Sequence, residues 1–309
     1  MSIFTALIAK IAPLYVLMLM GYIAARFLHS HRDTVAHLLF YMITPLVIFS
    51  GVVNTRLDAS VLSVPLISFL IASFLCLLFY SLSKLIWTDS TKNLMAISAG
   101  SGNTGYFGLP IVLLLMNDQG EGIYILAMLG VTLYESTVGF YILAKGTYTA
   151  SECLKKLAKL PSLYSFLLGL IINLVGIKPP EAFAEFTGYI KGSFTVLGMM
   201  LIGLSLAGLH HLKIDYKFIG MTFLAKFVAW PLMALGVIYA DTHWTQFLNP
   251  TIYNALFLLS IVPLAANTVA LAAILKNQPE KSATAVFLST LFAIGYVPLM
   301  ATLLFEKLL

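Results

Sequence analysis

Ten apolar stretches, each close to the length that crosses a bilayer, follow one another along this chain with little sequence between them. A spanning helix needs roughly 20 apolar residues, so ten of them consume most of the 309 available. A soluble globule of this length could not hide a composition that is 60% apolar and 10% charged, because much of its area would still face water. The expected fold is an all-α polytopic membrane protein. Its spans are read as Ala6–Phe27, Val35–Val53, Leu62–Ile86, Leu94–Met116, Ile123–Ala144, Ser162–Val175, Tyr189–Leu209, Phe218–Ala240, Ile252–Leu275 and Ala283–Leu304.

Charge reports the orientation of these spans. Arg26, Arg32, Lys84, Lys92, Lys145, Lys155, Lys156, Lys159, Lys213, Lys217, Lys276 and Lys281 fall in alternate connections, twelve in all, against Arg56, Lys178, Lys191 and Lys307 on the other side. The positive-inside rule puts the twelve in the cytoplasm and both termini outside. The plasma membrane is the expected location. The formal charge of +5 is spread singly over short connections and forms no patch that would bind nucleic acid. Residues 6–28 are too long for a signal-peptide core and carry no cleavage site, so they read as a retained span. Neither Cys76 nor Cys153 has redox or metal-ligand spacing.

The longest cytoplasmic connection divides the chain into a first five-span half, 1–150, a short linker, 151–161, and a second half, 162–309. Five is odd, so the halves enter the membrane in opposite senses. The fourth span of each half is interrupted. In Gly100-Ser101-Gly102-Asn103-Thr104-Gly105-Tyr106-Phe107-Gly108-Leu109-Pro110, four glycines and a proline fall within eleven residues, which makes continuous helix costly. In the ninth span, Pro263 precedes Asn267-Thr268. Open backbone at that depth must line protein or a wet cavity rather than lipid. Interruptions at matching places in two repeats point to a secondary transporter's binding site. The candidate substrate-binding residues are Asn103, Thr104, Gly105, Tyr106, Pro110, Pro263, Asn267 and Thr268. A lone proline kink, by contrast, is often only a kink.

Two ionisable side chains fall within spans, Glu135 in the fifth and Lys226 in the eighth. A charge in hydrocarbon has to be paired, neutral or wet, which makes both candidates for ion coupling or charge compensation. A structural Glu135–Lys226 ion pair and a snorkelling Lys226 are the blander readings. Pro45 is read as a local kink in the second span, and Asn173 as an interfacial cap. The histidines form no tight ligand set, so no metal or other cofactor is expected.

At Gly102-Asn103-Thr104-Gly105-Tyr106-Phe107-Gly108-Leu109-Pro110, Thr44-Pro45-Leu46 and Pro263-Leu264-Ala265-Ala266-Asn267, the chain resembles the bacterial members of the auxin efflux carrier family, the PIN-like permeases. The resemblance implies ten spans in two inverted five-helix repeats, with crossed, broken fourth and ninth helices. It implies a scaffold from spans one, two, six and seven, and a moving transport domain from spans three to five and eight to ten. It also implies a small organic anion as substrate, such as malate, malonate or an auxin-like acid. The partners expected with it are the lipid bilayer, a coupling proton or sodium ion, and a second copy in a homodimer.

Alternating access of a carboxylate is the expected mechanism, without covalent catalysis; neither a metal cluster nor a nucleophile–base pair suggests an enzyme. A channel for small solutes, or a membrane-embedded sensor of the same fold, are the competing readings. A channel would need a continuous polar lining, whereas the polar residues here cluster at mid-span.

Overall fold

The computed structural model describes residues 3–144, 158–208 and 214–307. Linker residues 151–157, with Cys153, lie outside the described residues, as do Lys145, His210, His211 and Lys213. In chain order the helices are α1 (Ile3–Phe27), α2 (Arg32–Asn54), α3 (Ala59–Ser83), α4 (Thr91–Gly100), α5 (Leu109–Leu115, entered through the π-helical turn Thr104–Gly108) and α6 (Asp118–Leu143). The second half continues with α7 (Pro161–Val175), α8 (Glu181–Ala207), α9 (Tyr216–Thr245), α10 (Pro250–Ser260), α11 (Asn267–Ile274) and α12 (Pro279–Lys307). Among the described residues no strand occurs. Among the described residues seven helices are long and apolar enough to cross a membrane, and α7 is a shorter apolar helix. The protein is a multi-pass, all-α membrane protein.

Helix starts are set by side chains that capture free N–H groups in the connections. Asp58 accepts from Val61 at 2.9 Å ahead of α3, and Asn117 from Gly120 at 2.9 Å ahead of α6. Asp215 does so from Phe218 at 3.1 Å ahead of α9, and Asn249 from Ile252 at 3.0 Å ahead of α10. The Ser60 hydroxyl and the Val61 N–H hold the Asp58 carboxyl below its usual pKa. Gly176, at φ 77°, ends α7 in the left-handed conformation that a side chain would disfavour.

Three prolines widen the helix before them. Pro45, Pro110 and Pro231 each stand two residues after a π-helical turn, over Leu39–Ile43, Thr104–Gly108 and Ala225–Ala229. A proline lacks the N–H and pushes against the carbonyl four residues back, and a wider turn relieves both. The sequence reading of Pro45 as a kink thus resolves into a widened turn.

Packing is closest where small residues let backbones touch. Gly21 of α1 lies against the Met200 carbonyl of α8, and Gly203 of α8 against the Met18 carbonyl of α1; a Cβ on either glycine would overlap its neighbour. α7 packs on the second half of α2. There Asn173 works as an interhelix cap, its side-chain amide donating to the carbonyls of Val52 (2.9 Å), Val53 (2.9 Å) and Thr55 (2.8 Å). α3 packs on both α4 and α6, and the Ser68 hydroxyl reaches the Ala127 carbonyl at 2.8 Å. The outward stripe Leu62, Leu66, Leu70, Phe74 and Leu78 of α3 is exposed at helical spacing, as expected of a face solvated by lipid tails.

Candidate functional site

Both interruptions fall in buried chain and meet each other. α4 stops at Gly100, and residues 101–103 are non-helical before the turn at Thr104; α10 stops at Ser260, and residues 261–266 are non-helical before α11. Asn103 donates its backbone N–H to the Pro263 carbonyl at 2.8 Å. Side-chain donors also reach carbonyls beside the breaks, of which that of Ala99 is left over because the Asn103 N–H turns to Pro263. The Trp230 indole N–H reaches the Ala99 carbonyl at 2.8 Å, the Tyr134 hydroxyl that of Ile97 at 3.1 Å, and the Tyr124 hydroxyl that of Thr104 at 3.0 Å. On the second break, the Leu264 N–H donates to the Ser289 hydroxyl of α12 at 3.2 Å.

Beside this junction lies a cavity of about 90 Å³ lined by residues of α2, both breaks, α6 and α8. Of the sequence-predicted residues, Asn103, Thr104, Gly105, Tyr106, Glu135 and Asn267 line it. Its walls also include Phe40, Thr44, Met128, Thr132 and Phe194. The starts of α5 and α11 are the helix ends that face it, so the positive poles of both short dipoles converge there. Among the buried polar atoms in the wall, Asn103 Nδ2 and Glu135 Oε1 have no hydrogen-bond partner. Glu135 Oε2 accepts from the Asn267 side chain at 3.3 Å.

The remaining predicted residues stand apart from this lining. Pro110 occupies the first turn of α5, where its missing N–H leaves no helical bond unmade. Pro263 contributes the carbonyl that Asn103 uses. Thr268 is buried, donating to the Ala265 carbonyl at 2.7 Å and accepting from Ser282 at 3.1 Å. Lys226 is fully buried on the far side of the first break. Its Nζ lies 4.5 Å from the centre of the Trp230 ring and 2.7 Å from where a Cβ on Gly102 would stand. No hydrogen bond or salt bridge reaches Lys226 Nζ, from Glu135 or any other described residue. Its stabilisation comes from the indole face and from the negative, C-terminal pole of α4. Gly102 is needed where it is because the ammonium and Val262 fill the space a side chain would take.

A larger space of about 470 Å³ leads away from Glu135 and Asn267 along Arg32, His37, Tyr41, Leu160, Ser205 and Ile274. It shares Phe40, Tyr106, Thr132, Glu135, Ala266 and Asn267 with the small cavity, so it is a vestibule ending on the breaks. At the opposite end, Lys191 of α8 closes on Glu121 of α6 at 2.7 Å. A third cavity, of about 550 Å³, lies beside the α1–α2 turn; larger than the one at the breaks, it holds few of their polar backbone groups. Among the described residues no cluster of His, Cys, Asp or Glu could hold a metal ion.

The aromatic donors Trp230, Tyr124 and Tyr134 escaped the sequence reading, since an aromatic inside an apolar span looks like core. Thr44 stands in the motif Thr44-Pro45-Leu46, where the proline is the stronger signal, and Thr132 has no sequence signal of its own.

A family model described as membrane transport protein matches residues 6–152 and 147–301. The chain is 25% identical over 303 residues to an uncharacterized transporter of Methanocaldococcus jannaschii, covering 94% of this chain and 96% of that one. It is 24% identical over 315 residues to an uncharacterized transporter of Methanothermobacter thermautotrophicus, covering 98% and 100%.

Proposed function

Because the chain belongs to the auxin-efflux-carrier-like family of membrane transport proteins, and is a membrane transporter rather than an enzyme, we propose that it carries a small organic anion across the bilayer by alternating access. The observation that carries this reading is the meeting of two broken helices beside a cavity whose wall holds the unpartnered Asn103 Nδ2 and two positive helix poles. Donors of that kind suit a carboxylate.

In this mechanism Asn103, Thr104, Gly105, Tyr106 and Asn267 contact the substrate, while Pro110, Pro263 and Thr268 hold the breaks in shape. Lys226 compensates charge from behind the first break, and Glu135 takes up the coupling proton or sodium ion. The moving part is formed by α3–α6 and α9–α12, the scaffold by α1, α2, α7 and α8. The reciprocal packing of α1 on α8 and of α2 on α7 supports this division and two inverted five-span repeats. With the basic end in the cytoplasm, both termini are outside, and the vestibule past Arg32 and His37 makes this an inward-facing state. A homodimer through the scaffold would leave the moving part free.

Uptake of labelled malate, malonate and indole-3-acetate into proteoliposomes, with and without pH and sodium gradients, tests the reading. Saturable uptake abolished by Asn103→Ala is the expected result. Uptake that neither saturates nor responds to that change would sink it.

A further inference from the structure

We propose that the cavity beside the α1–α2 turn is a second anion site, separate from the transport site, which binds a phosphate group. Its basic wall is formed by Arg26, His29, His31 and Arg32, and Ser30 and Ser205 also line it. The opposite wall is apolar, formed by Val269 of α11 and Ala283, Val286 and Phe287 of α12.

Three features of the basic wall fit a phosphate. First, α2 starts at Arg32 without a side-chain cap, its N-cap residue His31 making no such bond, so free N–H groups remain at a positive helix pole. Second, the buried Arg32 Nε has no hydrogen-bond partner. Two guanidinium groups and a helix start suit a tetrahedral anion carrying more than one charge. Third, His29 is held at φ 51°, a left-handed conformation that a residue other than glycine rarely adopts, and this tight turn sets Arg26 and Arg32 on one cavity. The carboxylate nearest in sequence, Asp33, lines the vestibule instead.

The turn also carries Phe27 and Leu28, 74% and 72% exposed, as an interfacial anchor would be. A phosphate at this depth comes either from a lipid headgroup, whose chains would continue past Phe27 and Leu28, or from solution. Arg32 lines this cavity and the vestibule alike, and the occupant would lie between α1–α2 and α11–α12.

The test is thermal unfolding of the purified protein in phosphatidylcholine nanodiscs, with either phosphatidylglycerol added to the disc or inorganic phosphate to the buffer, against chloride at equal ionic strength. At least one phosphate arm should raise the apparent Tm saturably; a response to lipid alone identifies the headgroup, and a response to inorganic phosphate the soluble anion. The shift should disappear in Arg26→Gln/Arg32→Gln. It should also disappear in Val286→Trp, which projects an indole into the cavity from its apolar wall without changing charge and serves as the test if the double variant does not fold. No shift in either arm, an equal shift with chloride, or a shift that survives in a folded variant would overturn the site. None of these readouts depends on transport or on the cavity at the breaks.

Discussion

Asn103 binds Pro263 through its main chain and leaves its side-chain amide nitrogen unpartnered at the wall of the central cavity. The two functions of that one residue can be separated. Asn103→Ala keeps the 2.8 Å backbone bond and should leave Tm within a few degrees of wild type while lowering substrate affinity at least about tenfold, the equivalent of about 1.4 kcal/mol. Asn103→Pro removes the N–H and should destabilise by about 1–3 kcal/mol through the buried carbonyl it orphans. Binding isotherms and melting curves of the pair check this; equal loss of stability in both would refute the division.

Lys226 is a stability liability, a buried ammonium without a hydrogen bond. Lys226→Met should raise Tm, since replacing a poorly compensated buried charge with an apolar side chain of similar length is often stabilising by about 1–4 kcal/mol. If the ammonium balances the substrate's charge, the same variant should lose transport. A variant that is both less stable and fully active would contradict the proposed role.

Glu121 and Lys191 tie α6 to α8 at the end away from the vestibule, with side chains 6% and 22% exposed. Opening on that side must separate them. In a background without native cysteines, Glu121→Gln/Lys191→Gln should increase labelling of a cysteine placed at Thr44 by an impermeant reagent added on that side, several-fold over the same cysteine with the pair intact. Unchanged labelling would mean that the pair does not hold this end closed.

Asp215 and Lys281, 2.9 Å apart, join the start of α9 to α12, and Lys281 also donates to the Thr91 hydroxyl at 3.1 Å. Partial burial works the other way, but the Lys281 ammonium and the Phe218 N–H hold the Asp215 carboxyl below its usual pKa. With the folded value depressed, the stabilisation is complete above the ordinary carboxylate range and is lost as pH falls through the lowered value. Its size is at most about 1 kcal/mol, given the exposure of the pair. Asp215→Asn should therefore lower Tm slightly at neutral pH and flatten its decline below about pH 5. Parallel curves would remove the pair from the acid response.

Much of the architecture was written in hydropathy. The spans from Ala6 to Phe27 and from Ser162 to Val175 correspond closely to α1 and α7, because lipid imposes both length and polarity on a helix. The first break was legible in its glycines, since backbone cost is a local property. Pro110 starts α5, and the opened residues are 101–103, where small polar side chains rather than the proline interrupt the helix. The contact between Asn103 and Pro263 could not be read at all, because register between distant segments is a tertiary quantity. The same holds for Lys226, whose neighbours on α4 were not visible from α9 alone, and for Trp230, whose single N–H decides its role.

The widened turns ahead of Pro45, Pro110 and Pro231 have a consequence for the evolution of this chain. Each π-helical turn accommodates one residue more than an α-helix would need, so losing one residue there would restore ordinary winding and leave everything downstream facing nearly as before, whereas the same loss in an α-helical stretch would swing it by about 100°. In α2 a loss within 39–43 would keep Thr44 at the central cavity and Leu46 exposed. Lineages of this fold should therefore tolerate the loss of one residue in these turns far more readily than elsewhere in the same helices.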